Sequence, residues 1–136
     1  MRGLHLWVGL LAVVVFLITG QSMRHHHPPM SALSDASRLM LRSRHIYILA
    51  AGSVNVILGL YVQRIAGWRG VLQAIGSGLL MVPAVFLILA LILETAKGFQ
   101  PEMAWSRVGL YGLFAGCMLH LAPTFRWVRR VRRYAG

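Results

Sequence analysis

Six histidines are the side chains of this 136-residue chain best suited to hold a metal or a haem iron: His5, His25, His26, His27, His45 and His120. Imidazole binds Cu, Zn, Ni and Fe alike, and axial imidazoles are among the ways a protein holds haem iron. His5 lies three residues after Arg2, and His120 six residues before Arg126. If those two segments cross a membrane in opposite directions, the two histidines differ in depth by roughly 4 to 5 Å at about 1.5 Å per residue. One ligand could then take both. A b-type haem between them would need backbone clearance, for which Gly9 and Gly116 stand one turn away, and cations near its propionates, for which Arg2, Arg69 and Arg126 are placed. The plainer reading of the same pair is two interfacial histidines bonded to carbonyls or lipid headgroups.

His45 lies toward the opposite end, at the expected start of a second helix. With His25, His26 and His27 of the preceding loop it could form a second site for a transition metal or a second haem. Three consecutive histidines cannot all face one ion from a regular element, but a loop could present one or two. Met23, Met30 and Met40 would favour Cu(I) if they converged, and otherwise pack at the interface. Against both stands a solvated polar turn followed by a helix-start histidine.

Other chemistry is poorly served. Asp35 has no positioned nucleophile beside it, so no Ser-His-Asp set can be assembled, and no catalytic residue is assigned. Glu94 closes an apolar window at its outer end, where it can snorkel, so no carboxylate stands ready as an intramembrane relay. Asn55, near the middle of helix two, is expected to make an interhelical hydrogen bond. Cys117, the lone cysteine, excludes an intrachain disulfide framework and reads as a small packing residue.

The elements that must position these groups follow from the charges. Only 12% of the residues are charged, 14 Lys+Arg against 3 Asp+Glu, while 57% are apolar. A soluble domain carries about 25% charged residues. Four uncharged windows, of 21, 19, 24 and 18 residues, lie between Arg2 and Arg24, Arg44 and Arg64, Arg69 and Glu94, and Arg107 and Arg126. Each approaches the ~20 residues that cross a bilayer core. The expected fold is an all-α bundle of four transmembrane helices, roughly residues 4–22, 44–63, 70–94 and 106–125, in a single integral membrane domain. Loop 1 opens with Arg24, three histidines and two prolines; Ser34 or Asp35 can cap a new helix after it, which could run into the second crossing. The first window could also be read as a secretory signal, but its apolar run from Leu6 to Thr19 is long for one.

Alternating sides put Arg2, Arg64, Arg69, Arg126, Arg129, Arg130, Arg132 and Arg133 together, against six cations on the other face. That bias places both termini in the cytoplasm of a bacterium, with the protein in its inner membrane. The formal charge of +11 sits at window ends rather than on a solvated face, which argues against nucleic acid as a partner. The basic tail, residues 126–136, is expected to rest on anionic lipid. Small residues stripe each helix: Gly9 and Ala12; Gly52 and Gly59; Gly76, Ser77 and Gly78 before a kink at Pro83; Gly109, Gly112 and Gly116. Such stripes serve tight helix contact.

The opening Leu4-His5-Leu6-Trp7-Val8-Gly9-Leu10-Leu11, closing with Ile18-Thr19-Gly20, resembles the first helix of the PepSY-associated transmembrane family. It is similar also to the first helix of small b-type membrane cytochromes, where a histidine near the inner end precedes a Thr-Gly exit. The resemblance covers about 17 of 136 residues and implies a haem-ligand role for His5. The reading that results is a haem-b-binding, non-catalytic protein or subunit in electron transfer. Its alternative is a cofactor-free accessory or assembly subunit, packed against other membrane subunits or a second copy of itself through its glycine faces.

Overall fold

Three of the four uncharged windows lie wholly within a helix, and the second leaves only Val62 and Gln63 beyond the end of its helix. The computed structural model describes the backbone of residues 1–25, 29–96 and 104–134, and the side chains of those residues other than 30, 94–96, 104 and 124–134. Helix α1 covers Arg2–Arg24, α2 Asp35–Tyr61, α3 Trp68–Ala96 and α4 Ala104–Tyr134; a 3-10 turn at Met30–Ala32 precedes α2. No strand occurs among the described residues. Three stretches, Arg2–Arg24, Asp35–Tyr61 and Trp68–Leu93, are long and apolar enough to cross a membrane. A helix suits that setting because it satisfies its backbone polar groups internally.

Two boundaries differ from the expectation. Helix α2 starts nine residues before residue 44, because Ser34 caps it: its hydroxyl accepts the Ser37 N–H at 3.3 Å, and Asp35 in the first turn pairs with Arg38. An acidic side chain there also opposes the helix dipole. Neither Gly nor Pro interrupts residues 35–51, so the capped turn and the second crossing are one helix. His45 therefore sits ten residues inside α2 rather than at its start. Helix α4, in turn, continues through Pro123 to Tyr134, so the basic tail extends the helix.

Lipid is as apolar as leucine, so helix association depends on close backbone approach and polar contacts more than on burial of apolar side chains. The glycines provide the approach. A Cβ on Gly9 would lie 2.5 Å from the Val56 nitrogen, and one on Gly59 2.7 Å from the Leu6 nitrogen, locking α1 antiparallel to α2. On the other pair, a Cβ on Gly76 would lie 2.6 Å from the His120 nitrogen, one on Gly116 2.8 Å from the Leu79 carbonyl carbon, and one on Gly112 2.8 Å from Pro83 Cγ. Helices α2 and α3 join the two hairpins, around Ala12, Ile48, Ala51, Leu80, Ala84 and Leu87. The outer faces stay apolar and exposed, as at Trp7, Leu11, Ile92 and Phe114.

The α2–α3 connection fixes the register of the hairpins. Gly67 takes φ +74, a left-handed conformation open to glycine at no steric cost. Gln73 then fastens the loop to α3, accepting the Ile65 N–H at 3.1 Å and donating to the Gln63 carbonyl at 2.8 Å. At the same end, the Arg2 guanidinium donates to the Leu60 carbonyl at 2.5 Å, supplying a cation where α2 leaves its last carbonyls unpaired.

Candidate functional site

One residue from each helix enters a single buried polar layer. His5 on α1 is 0% exposed, Asn55 on α2 0%, Ser77 on α3 1% and His120 on α4 4%. The antiparallel glycine contacts set this convergence. Gly9 against Val56 brings His5 level with Asn55; Gly76 against His120 brings that histidine level with Ser77; and Ser77 lies three residues from Leu80, whose carbonyl Asn55 reaches.

The hydrogen bonds determine which atom each group presents. Asn55 Nδ2 donates to the Ala51 carbonyl at 2.9 Å and to the Leu80 carbonyl at 3.0 Å. Two carbonyl acceptors require the NH₂ end of the amide to face them, so its oxygen faces His5. His5 Nδ1 stands 2.7 Å from that oxygen and must carry the proton. A neutral imidazole with Nδ1–H has a bare lone pair on Nε2. His5 Nε2 is buried and has no hydrogen-bond partner. An acceptor buried without a partner costs free energy, and the sequence places it in a helix otherwise closed by glycine contacts.

His120 faces it. The two ring centroids are 6.3 Å apart with an interplanar angle of 84°. His120 Nδ1 lies 3.2 Å from the Ser77 hydroxyl. Both imidazoles thus have their Nδ1 engaged by a neighbouring helix. Two imidazoles bound in line to one ion, each through a metal–nitrogen bond of about 2.0–2.1 Å, hold their ring centroids roughly 6 Å apart. The observed centroid separation is of that size, with the two rings set edge to face, and an Nδ1 held by an oxygen is the usual support of a ligating histidine.

The remaining predicted site residues fare differently. The space over Gly9 is filled by Gly52 and Val56, and that over Gly116 by Leu79 and Leu80, so both glycines serve helix contact and leave no clearance for a planar ring. Arg2 caps α2, and Arg69 lies over the Trp68 ring at 5.8 Å. The Arg126 and Glu94 side chains are outside the described residues. His45 belongs to the other end of the α1–α2 hairpin: its Nδ1 lies 3.0 Å from the Thr19 hydroxyl and its ring stacks on Phe16 at 4.0 Å. His25 is exposed at the end of α1, whereas His26 and His27 fall outside the described residues. Among the described residues no group of three or more His, Cys, Asp or Glu is placed to hold a metal ion. Met23 packs against the core and Met40 is buried, while the side chain of Met30 is not described. Cys117 is a partly buried packing residue, as expected.

Ser77 acquires a role that its place in a small-residue stripe did not reveal, and Thr19 one that its place at the end of the apolar run did not. Asn55 makes the interhelical bond expected of it, to Leu80, and in addition holds His5. The available signal was its depth: a mid-helix amide costs free energy unless paired, and His5 is the polar group at its level on the adjacent helix. Comparison of the chain with models of protein families, with curated proteins and with solved structures finds no match.

Proposed function

We propose that the protein is a haem-b-binding membrane protein, or a subunit of one, that passes electrons without catalysing a reaction of its own. The observation that carries this reading is the buried, partner-free Nε2 of His5 together with a second buried imidazole whose ring centroid stands 6.3 Å from that of His5. In this reading His5 and His120 hold the iron, and the bound haem supplies one-electron transfer. The chain's own part is to fix both rings. Asn55 orients His5, Ser77 orients His120, and the glycine contacts keep each ring level with its partner. The ligand pair fits an iron; the glycine faces do not fit its macrocycle. The likeness of α1 to the PepSY-associated family and to small b-type cytochromes supports the same role for His5.

In the membrane reading that goes with this function, α4 is the fourth span, both termini are cytoplasmic and the host membrane is a bacterial inner membrane. The cation distribution supports that orientation, and the basic residues 126–136 suit anionic lipid. The rival reading, a cofactor-free accessory subunit, draws less support. Apart from Gly78, the glycine faces through which it would dock on other subunits or on a second copy are consumed inside the bundle.

An absorption spectrum of detergent-purified protein, oxidised and then dithionite-reduced, with a pyridine haemochrome assay, tests the proposal. A sharp reduced b-type spectrum near one haem per chain is expected. The His120→Ala variant should insert normally and lose the haem; unchanged haem content in that variant overturns the assignment.

A further inference from the structure

We propose that Asn55 is the positioning residue of this site: it holds His5 in the Nδ1–H tautomer, so that a bare Nε2 lone pair is directed to whatever ion the pair binds. The inference rests on the iron-ligand reading for its consequence but not for its content, because the tautomer follows from the haem-free hydrogen bonds. The Asn55 amide cannot rotate by half a turn without setting its oxygen against the Ala51 and Leu80 carbonyls, which now accept from Nδ2 at 2.9 and 3.0 Å. With the amide locked, its oxygen, 2.7 Å from His5 Nδ1, accepts only from a protonated nitrogen. The opposite tautomer would place two lone pairs against each other in a layer without water access, since both residues are 0% exposed.

Asn55 also ties the ligand to the rest of the bundle. Through one amide, His5 on α1 is registered against α2 and, by way of Leu80, against α3, the helix whose Ser77 holds His120. The amide is a neutral acceptor. It fixes the ring without the full electron donation that a carboxylate at this place would add to the imidazole.

Histidine-selective ¹⁵N NMR of the full-length protein, prepared without haem, reads the tautomer directly, and a His5→Gln sample assigns the signal. The expected result is a protonated Nδ1 and an unprotonated Nε2 on His5. A protonated Nε2 overturns the proposal, and this test requires no change at Asn55. In Asn55→Leu the preference should disappear, and hemin titration followed by absorbance should show 10- to 100-fold weaker binding. In Asn55→Asp, whose carboxyl takes up a proton to donate to the Leu80 carbonyl and keeps its other oxygen toward His5, the Nδ1–H form should return. An Asn55→Leu protein that keeps both the tautomer and the hemin affinity of the parent overturns the positioning role. If the parent shows the expected tautomer but takes up no hemin, the haem reading falls and the lock on His5 stands.

Discussion

The two ends of the α1–α2 hairpin each present a histidine with its Nδ1 on an oxygen, yet they differ in what surrounds the other nitrogen. At one end, His5 is fully buried against Asn55 of α2, its Nε2 is buried without a partner, and the His120 imidazole of α4 stands 6.3 Å away. At the other end, His45 is only half-buried, stacked on Phe16, and flanked by Gly20, where an added Cβ would come within 3.2 Å of its Nε2. Thr19 donates to its own helix, to the Val15 carbonyl at 2.7 Å, so it accepts from His45 in turn. The same local chemistry, an oxygen holding Nδ1, therefore produces a helix–helix clasp at one end and a candidate ligand at the other. The difference is the second pair of helices: α3 and α4 deliver His120 to the first end. Among the described residues they deliver no comparable group to His45.

The comparison can be broken most severely through the glycines. Gly76→Leu places a side chain where a Cβ already meets the His120 backbone, so α4 has to move away from α3. Overpacking of that kind destabilises by about 1–3 kcal/mol. Thermal unfolding in detergent should show a clear drop, together with loss of the His5–His120 pairing. Gly78→Leu is its control, since a Cβ there meets nothing within 4 Å, and its unfolding temperature should match the parent. An equal drop in both variants would mean that the α3–α4 contact does not set the position of His120.

His45→Ala separates the two ends. It should cost roughly 1 kcal/mol in stability through the lost aromatic contact while leaving haem content intact, in contrast to His5→Ala, which should abolish it. Haem loss in His45→Ala would transfer the candidate site to the other end. Thr19→Val sharpens the same point with a smaller change. Removing the acceptor from His45 Nδ1 should cost about 0.5–1.5 kcal/mol, read as a lower unfolding temperature with an unaltered His5 ¹⁵N spectrum. The smallest effect is expected from Arg2→Ala, which withdraws a cation from the end of α2 and should cost a few tenths of a kcal/mol. Full haem retention there would also show that Arg2 is a helix cap and not a propionate partner.

Much of the helical framework was legible in the residues, because charge-free runs of bilayer length have few structural solutions. The start of α2 was half legible: Ser34 and Asp35 announce a cap, but only the absence of any break between that turn and the crossing makes the two a single helix. His5 and His120 were expected at one level from their counts to Arg2 and Arg126, and their rings stand 6.3 Å apart. Gly9 and Gly116 make the tight helix contact expected of their stripes and not the clearance that a haem would need. A glycine marks a close approach without saying what approaches, and here it is Val56 and Leu79. Asn55 could be recognised as a bonded amide, though nothing in its neighbours along the chain names His5 as the recipient.

The sequence by itself determined that the chain forms long apolar helices and that three of its charge-free windows carry an imidazole, His5, His45 and His120. Those properties belong to segments and follow from local composition. Which nitrogen of His5 is bare, which glycine is filled and which histidine has a partner were decided only by the tertiary structure. Each depends on the rotation and register of one helix against another, and those are set by contacts between residues far apart along the chain.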